Sequence, residues 1–315
     1  MTADANRTPV AATDPHRPVS NQTDSNGERL EKDVVTEAPA TGEGNVIEPS
    51  GGVEAVASVA AKSLVFETVA PDLTGLRPIG EASFGPLPPQ QKAVIGPDNR
   101  IQITNTADYP WRVHASLLIT ARDGSRWIGT GWFIGPHTLA TAGHVVYITN
   151  SGVPGRDGWV QSIQVMPGRN GSTLPYGSVL SSDFRTVNGW ANDGDPEYDY
   201  GAIILPTDLG STTGWFGFGA YTDATLLASS VNVSGYPGDK PAGTQWYHWN
   251  KVDSVGPRKV FYQVDTFGGQ SGSAVYRIDN GGRYGVAVHT YGGTASNSGT
   301  RITQAVFDNL VAWKA

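Results

Sequence analysis

Hydrophobic positions along the chain come in short runs, each closed by Gly, Asn, Asp or Pro. Residues 112–120, 127–134, 138–142, 201–205, 230–233, 260–264, 273–277 and 284–289 are such runs. Runs of this length and spacing predict β-strands, and so many of them between turn residues predict an all-β barrel or sandwich. The one helical pattern is terminal: Ile302, Val306, Leu310 and Trp313 follow at spacings of four, four and three and share a face. Residues 1–60 carry neither pattern, are rich in Ala, Pro, Thr, Asn, Asp and Glu, and contain no aromatic residue. Such a segment buries too little surface to offset its ordering entropy and is predicted to be disordered. A weak apolar stretch at 53–69 follows, then Pro71, Pro78, Pro86, Pro88 and Pro89 lead to Gln90-Gln91-Lys92. Residues 1–92 are therefore expected to be a disordered acidic prosegment or tail with Lys92 open to proteases, and residues 93–315 a folded body.

Composition sharpens that boundary. All nine Trp lie beyond residue 110, only two Phe and no Tyr lie before residue 93, and eight of the nine Glu fall within 1–92. The tail has 7 basic and 13 acidic residues, the body 15 and 16. A body without positive excess cannot neutralise a phosphate backbone, which argues against nucleic acid as a partner. No run approaches the roughly 18 apolar residues that span a bilayer, and the N-terminus shows no apolar signal core, so neither a membrane anchor nor an ordinary secretion signal is expected. The absence of Cys rules out disulfides, thiol catalysis and Cys-based metal sites without assigning a compartment.

Three residues stand out chemically. His144 ends the run Thr138-Leu-Ala-Thr-Ala-Gly-His144, where a strand end beside small residues can hold an imidazole for proton transfer; a hydrogen-bonded structural His fits the same pattern. Asp199 stands at the threshold of the apolar run 201–205 and could orient an imidazole, or simply start a strand, with Asp193 and Asp195 as rivals. Ser271 lies in Asp265-Thr-Phe-Gly-Gly-Gln-Ser-Gly-Ser273, where flanking Gly residues allow a sharp turn that exposes the hydroxyl and converges the amides of Gly269 and Ser271, as an oxyanion hole requires. A Gly/Ser turn without chemistry has the same composition, and G-x-S-x-G is not met because Ser273 replaces the last Gly.

The order His144, Asp199, Ser271, with gaps of 55 and 72 residues, is that of chymotrypsin-type proteases and not of subtilisins or α/β-hydrolases. On Thr130-Gly-Trp-Phe-Ile-Gly-Pro-His-Thr-Leu-Ala-Thr-Ala-Gly-His144, Asp199-Tyr-Gly-Ala, the Ser271 segment and Val288-His-Thr-Tyr-Gly-Gly293, the body resembles trypsin-like serine endopeptidases, and among them the bacterial glutamyl endopeptidases. Val94-Ile-Gly-Pro-Asp-Asn-Arg100 also resembles the start of the mature enzymes. The resemblance implies two perpendicular Greek-key β-barrels, about 93–205 and 206–315, with a C-terminal helix and a triad of His144, Asp199 and Ser271 in the cleft between them. It implies acyl transfer with Gly269 and Ser271 amides as the oxyanion hole, polypeptide substrates, a monomer, and no metal or organic cofactor.

It further implies that Thr266 and His289 bind a substrate carboxylate, that the α-amine near Val94 adds positive charge, and that Thr290, Tyr291 and Gly292 pair with substrate backbone. An imidazole and a hydroxyl left unpaired by other substrates discriminate well, although a core His and a turn Thr would look the same. Residues 93–315 hold one Glu, Glu197, against fifteen Asp. An enzyme that cuts after Glu gains by lacking Glu, while a Gly-rich β body also disfavours it. Three departures qualify the resemblance. Relatives often carry a Cys after the catalytic His where Val145 stands here, secretion is implied without a visible signal, and Gln270 cannot make the activating ion pair of animal trypsins. Release of the tail by a second protease cutting after Lys92 is expected. A triad with another primary preference, a silent peptide-binding module, and an intracellular protease with 1–92 as a docking arm are the competing readings.

Overall fold

The computed structural model describes residues 14–22, 54–55, 68–84, 94–293 and 295–314. Two antiparallel-rich sheets carry the body. In the first, Asp183–Val187, Gly201–Ile204, Thr138–Thr141, Arg126–Phe133, His114–Thr120, Ser162–Pro167 and Val179–Ser181 lie side by side in that order. In the second, Gly282–Tyr291, Ala274–Asp279, Ser230–Gly235, Gln245–Val255, Lys259–Tyr262 and Asn297–Arg301 follow one another, and the last pairs back onto the first to close a six-stranded barrel. The body is all-β, as the strand pattern led us to expect.

Period-two burial explains much of this. Ser162–Pro167 turns Ile163 and Val165 inward, and Asp183–Val187 does the same with Phe184 and Thr186. Val231, Val233, Val260, Tyr262, Val275 and Val286 fill the second barrel. The C-terminal helix Gln304–Trp313 is capped by Thr303, and its buried Val306, Leu310 and Trp313 join the core of the first barrel. Thr138 donates its hydroxyl to the Trp313 carbonyl at 2.7 Å, so the last element of the chain seals the first barrel. Ile302, expected on the helical face, lies just before the helix. Among the described residues no helix is long and apolar enough to cross a membrane.

Two expected boundaries shift. Ile101–Ile103 pairs with Gln245–Val255 and so belongs to the second sheet, although it precedes the first in sequence. The expectation of a tail without packed structure does not extend to three stretches within residues 1–92. Pro18–Ser20 pairs with Asp183–Val187 at the edge of the first sheet, Ala55 bridges to Trp215, and Arg77–Pro78 runs parallel to Arg126–Phe133. The tail residues beyond 14–22, 54–55 and 68–84, Lys92 included, lie outside the described ones. The physical reason is that the tail needs no core of its own: the body supplies open edges, and buried partners such as Tyr200 for His16 at 2.9 Å.

The barrels are joined at Thr130, which is fully buried. Its amide donates to the Ser271 carbonyl at 3.0 Å, and its hydroxyl donates to the Gly269 carbonyl at 2.8 Å while accepting from the Tyr236 amide at 3.1 Å. Thr130→Val keeps the shape and strands the last two groups. The expected outcome is a loss of about 1–3 kcal/mol of unfolding free energy, read from urea denaturation of the full chain, and an unchanged midpoint would count against the tie.

Candidate active site

Antiparallel pairing sets Gly201 opposite Thr141, so the chain leaving one strand meets the chain entering the other. His144 sits there in the short helix Gly143–Val146, and Asp199 ends the 3-10 turn Pro196–Tyr198. The His144 amide donates to Asp199 Oδ1 at 2.9 Å, and Nδ1 lies 2.7 Å from Oδ2. An ionised carboxylate only accepts, so the proton of the neutral ring is on Nδ1 and Nε2 carries the lone pair. Gly143 permits the approach, since a Cβ there would stand 2.8 Å from the Trp190 ring and 3.0 Å from Asp199 Oδ1. Burial alone would raise Asp199, but the charge and hydrogen bond of His144, with Lys259 and Tyr291 behind, hold its carboxyl below the usual range. Of the rival acids, Asp195 instead caps the 3-10 turn by accepting from the Glu197 amide at 2.9 Å.

Ser271 occupies the turn between Lys259–Tyr262 and Ala274–Asp279. Gly269 and Gly272 have φ of 102° and 89°, which favours glycine at both positions. The amides of Gln270, Gly272 and Ser273 bond to Phe267, His289 and Gln270 carbonyls. Among the described residues, the Gly269 and Ser271 amides have no acceptor. Gln270 turns its side chain inward, where Oε1 accepts from the Phe267 amide at 2.9 Å.

Behind this turn, Thr266 and His289 are both buried, and Thr266 Oγ1 has no hydrogen-bond partner. His289 Nδ1 lies 2.6 Å from the Tyr262 hydroxyl. Burial, then the neighbouring His144 and Lys259, push His289 down to about 3, so the ring is neutral near pH 7. Burial raises the Tyr262 phenol, which therefore keeps its proton to donate to Nδ1 and leaves Nε2 of His289 as an N–H donor. Val94 lies beside this region: the next amide, of Ile95, donates to Asp265 Oδ1 at 2.8 Å, one residue from Thr266. Tyr291 ends the strand that bears His289 and Thr290, with Gly292 just beyond it, and the ladder to Asn297–Arg301 is irregular between His289 and Tyr291.

The tail reaches the same place. The Ile79 amide donates to the Ile128 carbonyl at 2.9 Å, and the short helix Gly80–Phe84 follows. A Cβ on Gly80 would stand 3.8 Å from both His144 Nε2 and Ser271 Oγ. Phe84 meets His144 edge-on at 5.7 Å and Tyr291 at 5.3 Å, and the Ser83 hydroxyl accepts from the Thr149 amide at 3.2 Å. Under this cover His144 Nε2 is buried without a hydrogen-bond partner.

Sequence reasoning brought together His144, Asp199, Ser271, Thr266 and His289, and it missed Tyr262, Thr130 and Phe84. Tyr262 reads as one more core aromatic on an apolar strand. Phe84 did carry a signal, being one of only two aromatic residues before residue 93.

No protein-family model matches the chain. A glutamyl endopeptidase of Bacillus licheniformis is 47% identical over 231 residues, covering 71% of this chain and 69% of that protein. A Bacillus subtilis protein named extracellular metalloprotease is 39% identical over 226 residues, covering 71% and 70%. The described residues of this chain contain no group of three His, Asp or Glu placed to share a metal ion. The solved structure of a Glu endopeptidase in complex with MPD matches with a TM-score of 0.61 and 32% identity, over 70% of this chain and 99% of its own. On relatedness across the whole body, and on a shared trypsin-like fold, the chain is a serine endopeptidase and belongs to the glutamyl endopeptidase family.

Proposed function

We propose that the chain hydrolyses peptide bonds after Glu, and Asp less well, through an acyl-enzyme on Ser271. The observation that carries this reading is the His144–Asp199 pair with Nε2 of His144 left free to accept, beside a serine turn with two unspent amides. His144 Nε2 takes the Ser271 hydroxyl proton as Oγ attacks the scissile carbonyl carbon. The oxyanion forms against the Gly269 and Ser271 amides, and the imidazolium returns its proton to the leaving amine as the C–N bond breaks. Water then repeats the sequence on the ester and frees the new carboxyl terminus. Asp199 keeps the tautomer and stabilises the imidazolium. Thr290, Tyr291 and Gly292 would align the substrate backbone.

The Thr266 hydroxyl and the His289 Nε2–H suit a carboxylate, because a neutral side chain would leave the buried, unpartnered Thr266 hydroxyl stranded. The α-amine freed near Val94 would add positive charge at the same edge. Composition agrees: Glu197, the one Glu of the body, sits in a 3-10 turn and not in the extended form a cleft accepts. The tail segment at Gly80–Phe84 would then hold the full chain inactive until a second protease cuts after Lys92. The Bacillus subtilis relative is named extracellular, which supports secretion for this chain; substrates are polypeptides, and the working unit a monomer.

Digestion of an unstructured protein by the activated chain and its Ser271→Ala variant, read by mass spectrometry of new termini, tests the chemistry. Cuts after Glu that vanish in the variant are expected. Ser271-dependent cuts elsewhere would discard the pocket, and a folded, silent enzyme would favour a peptide-binding module. Thr266→Val should lower kcat/KM for Glu substrates by about 10–100-fold, the worth of one buried hydrogen bond to a charge, with a smaller effect on substrates lacking the carboxylate.

The tail makes its own prediction. Ser271 of the intact chain should react slowly with a fluorophosphonate, and cleavage after Lys92 should accelerate that reaction by about 100-fold or more, the effect of exposing a site populated in a per cent or less of molecules. Fully active native material whose N-terminal sequence still begins at Met1 would sink the idea.

A further inference from the structure

Lys259 is a buried cation that the chemistry above does not use. It opens the strand Lys259–Tyr262 of the second barrel and is 6% exposed. Its Nζ crosses to the first barrel and donates to the Pro196 carbonyl at 2.5 Å, and on its own barrel to Thr300 Oγ1 at 3.0 Å and, more weakly, Thr290 Oγ1 at 3.4 Å. Thr300 in turn donates its hydroxyl to the Asp199 carbonyl at 2.9 Å. The ammonium also stands 4.8 Å over the Tyr291 ring. An unpaired buried ammonium is costly, and packing alone would be served by an apolar side chain.

The position therefore answers to the turn of residues 195–199. Asp195, Glu197 and Asp199 all lie on that turn and pull on the ammonium, while His289 and Tyr291 face it from the strand Gly282–Tyr291. Burial still pushes Lys259 down to about 8. Two effects reach Asp199 from this one side chain: the backbone on both sides of the turn is tied to the second barrel, and a positive charge sits behind the carboxylate.

We infer that Lys259 is a positioning residue for the triad, clamping the 195–199 turn of the first barrel onto the second and holding Asp199 ionised against His144. The inference rests on the triad reading above. A cation behind Asp199 also disfavours a second positive charge on the imidazole. Its removal should therefore ease protonation of the triad and move the acid limb of the rate profile to higher pH.

The test compares Lys259→Met, Lys259→Arg and Thr300→Val, each made as the full chain and activated alike, with Lys259→Met repeated on an Asp199→Asn background. Lys259→Met should lower kcat by about 10–100-fold with KM for a Glu substrate within about threefold, the signature of an interaction felt in the transition state. Its acid limb in kcat/KM should rise by about half a pH unit or more, as loss of a nearby charge requires. Lys259→Arg should recover most of kcat, and Thr300→Val should lower kcat without moving the limb. On the Asp199→Asn background, Lys259→Met should change kcat by less than about twofold, because residues acting through one group are not additive. A folded Lys259→Met enzyme with normal kcat and profile overturns the inference. So does a loss confined to KM, which would make Lys259 part of the acidic pocket, or a full loss persisting in the Asp199→Asn enzyme. If Lys259→Met does not fold, a Thr300→Val enzyme with unchanged kcat overturns it equally. An Asp199→Asn enzyme with undiminished kcat overturns the triad reading itself.

Discussion

The cleft depends on the backbone of two barrels being held in contact at Thr130. Its amide and hydroxyl reach the serine turn, and its carbonyl accepts from Thr141 Oγ1 at 2.8 Å, on the strand that leads to His144. One residue thus couples the strand that leads to His144 to the turn that carries Ser271. The approach is so close that glycine is required around it. A Cβ on Gly272 would stand 2.1 Å from Thr141 Oγ1 and 2.2 Å from the Thr130 carbonyl, and one on Gly235 would stand 2.3 Å from Ser273 Oγ. Close-packed interiors transmit such constraints, so the distance between barrels is not free to drift. The chain holds this geometry without a covalent cross-link; Val145, fully buried beside His144, contributes packing alone.

Charge is layered outward from the same point. An imidazole, a carboxylate and, through Thr300, an ammonium succeed one another from His144 to Lys259, and the acid is satisfied from its backbone as well as its side chain. In a poorly solvated interior each member makes the next affordable, since an isolated carboxylate would take up a proton and an isolated ammonium would lose one. His289 stands apart from this series as a neutral group, because burial, then the neighbouring His144 and Lys259, disfavour its charged form, and Tyr262 meets its Nδ1.

Much of this was legible in sequence because the chemistry is local there: the His144 and Ser271 segments are contiguous strings of small residues with few other uses. The apolar strands were legible for the same reason. Gln245–Val255, the longest strand among the described residues at eleven, was not, since its run of Gln, Trp, Tyr, His, Asn and Lys is mostly half-buried and carries no clean alternation. Lys259 was equally hidden, for a Lys at the head of Val260-Phe261-Tyr262 looks like an ordinary strand edge until the turn of the other barrel is brought over it. The tail misled in a different way. Its composition states that it cannot fold alone, which is compatible with segments that order against a body whose sheet edges are open.

Those segments dock at separate places: Pro18–Ser20 on the far edge of the first sheet, Glu54 on Arg283 with its neighbour on Trp215, and Arg77–Phe84 on the cleft. A three-residue strand or a single bridge is a weak ligand by itself. Strung on one chain, they behave as a multivalent one, in which each contact raises the local concentration of the next. Severing the tail from the body would then leave all the contacts in place and change only the molecularity, from a fixed intramolecular occupancy to one that falls on dilution.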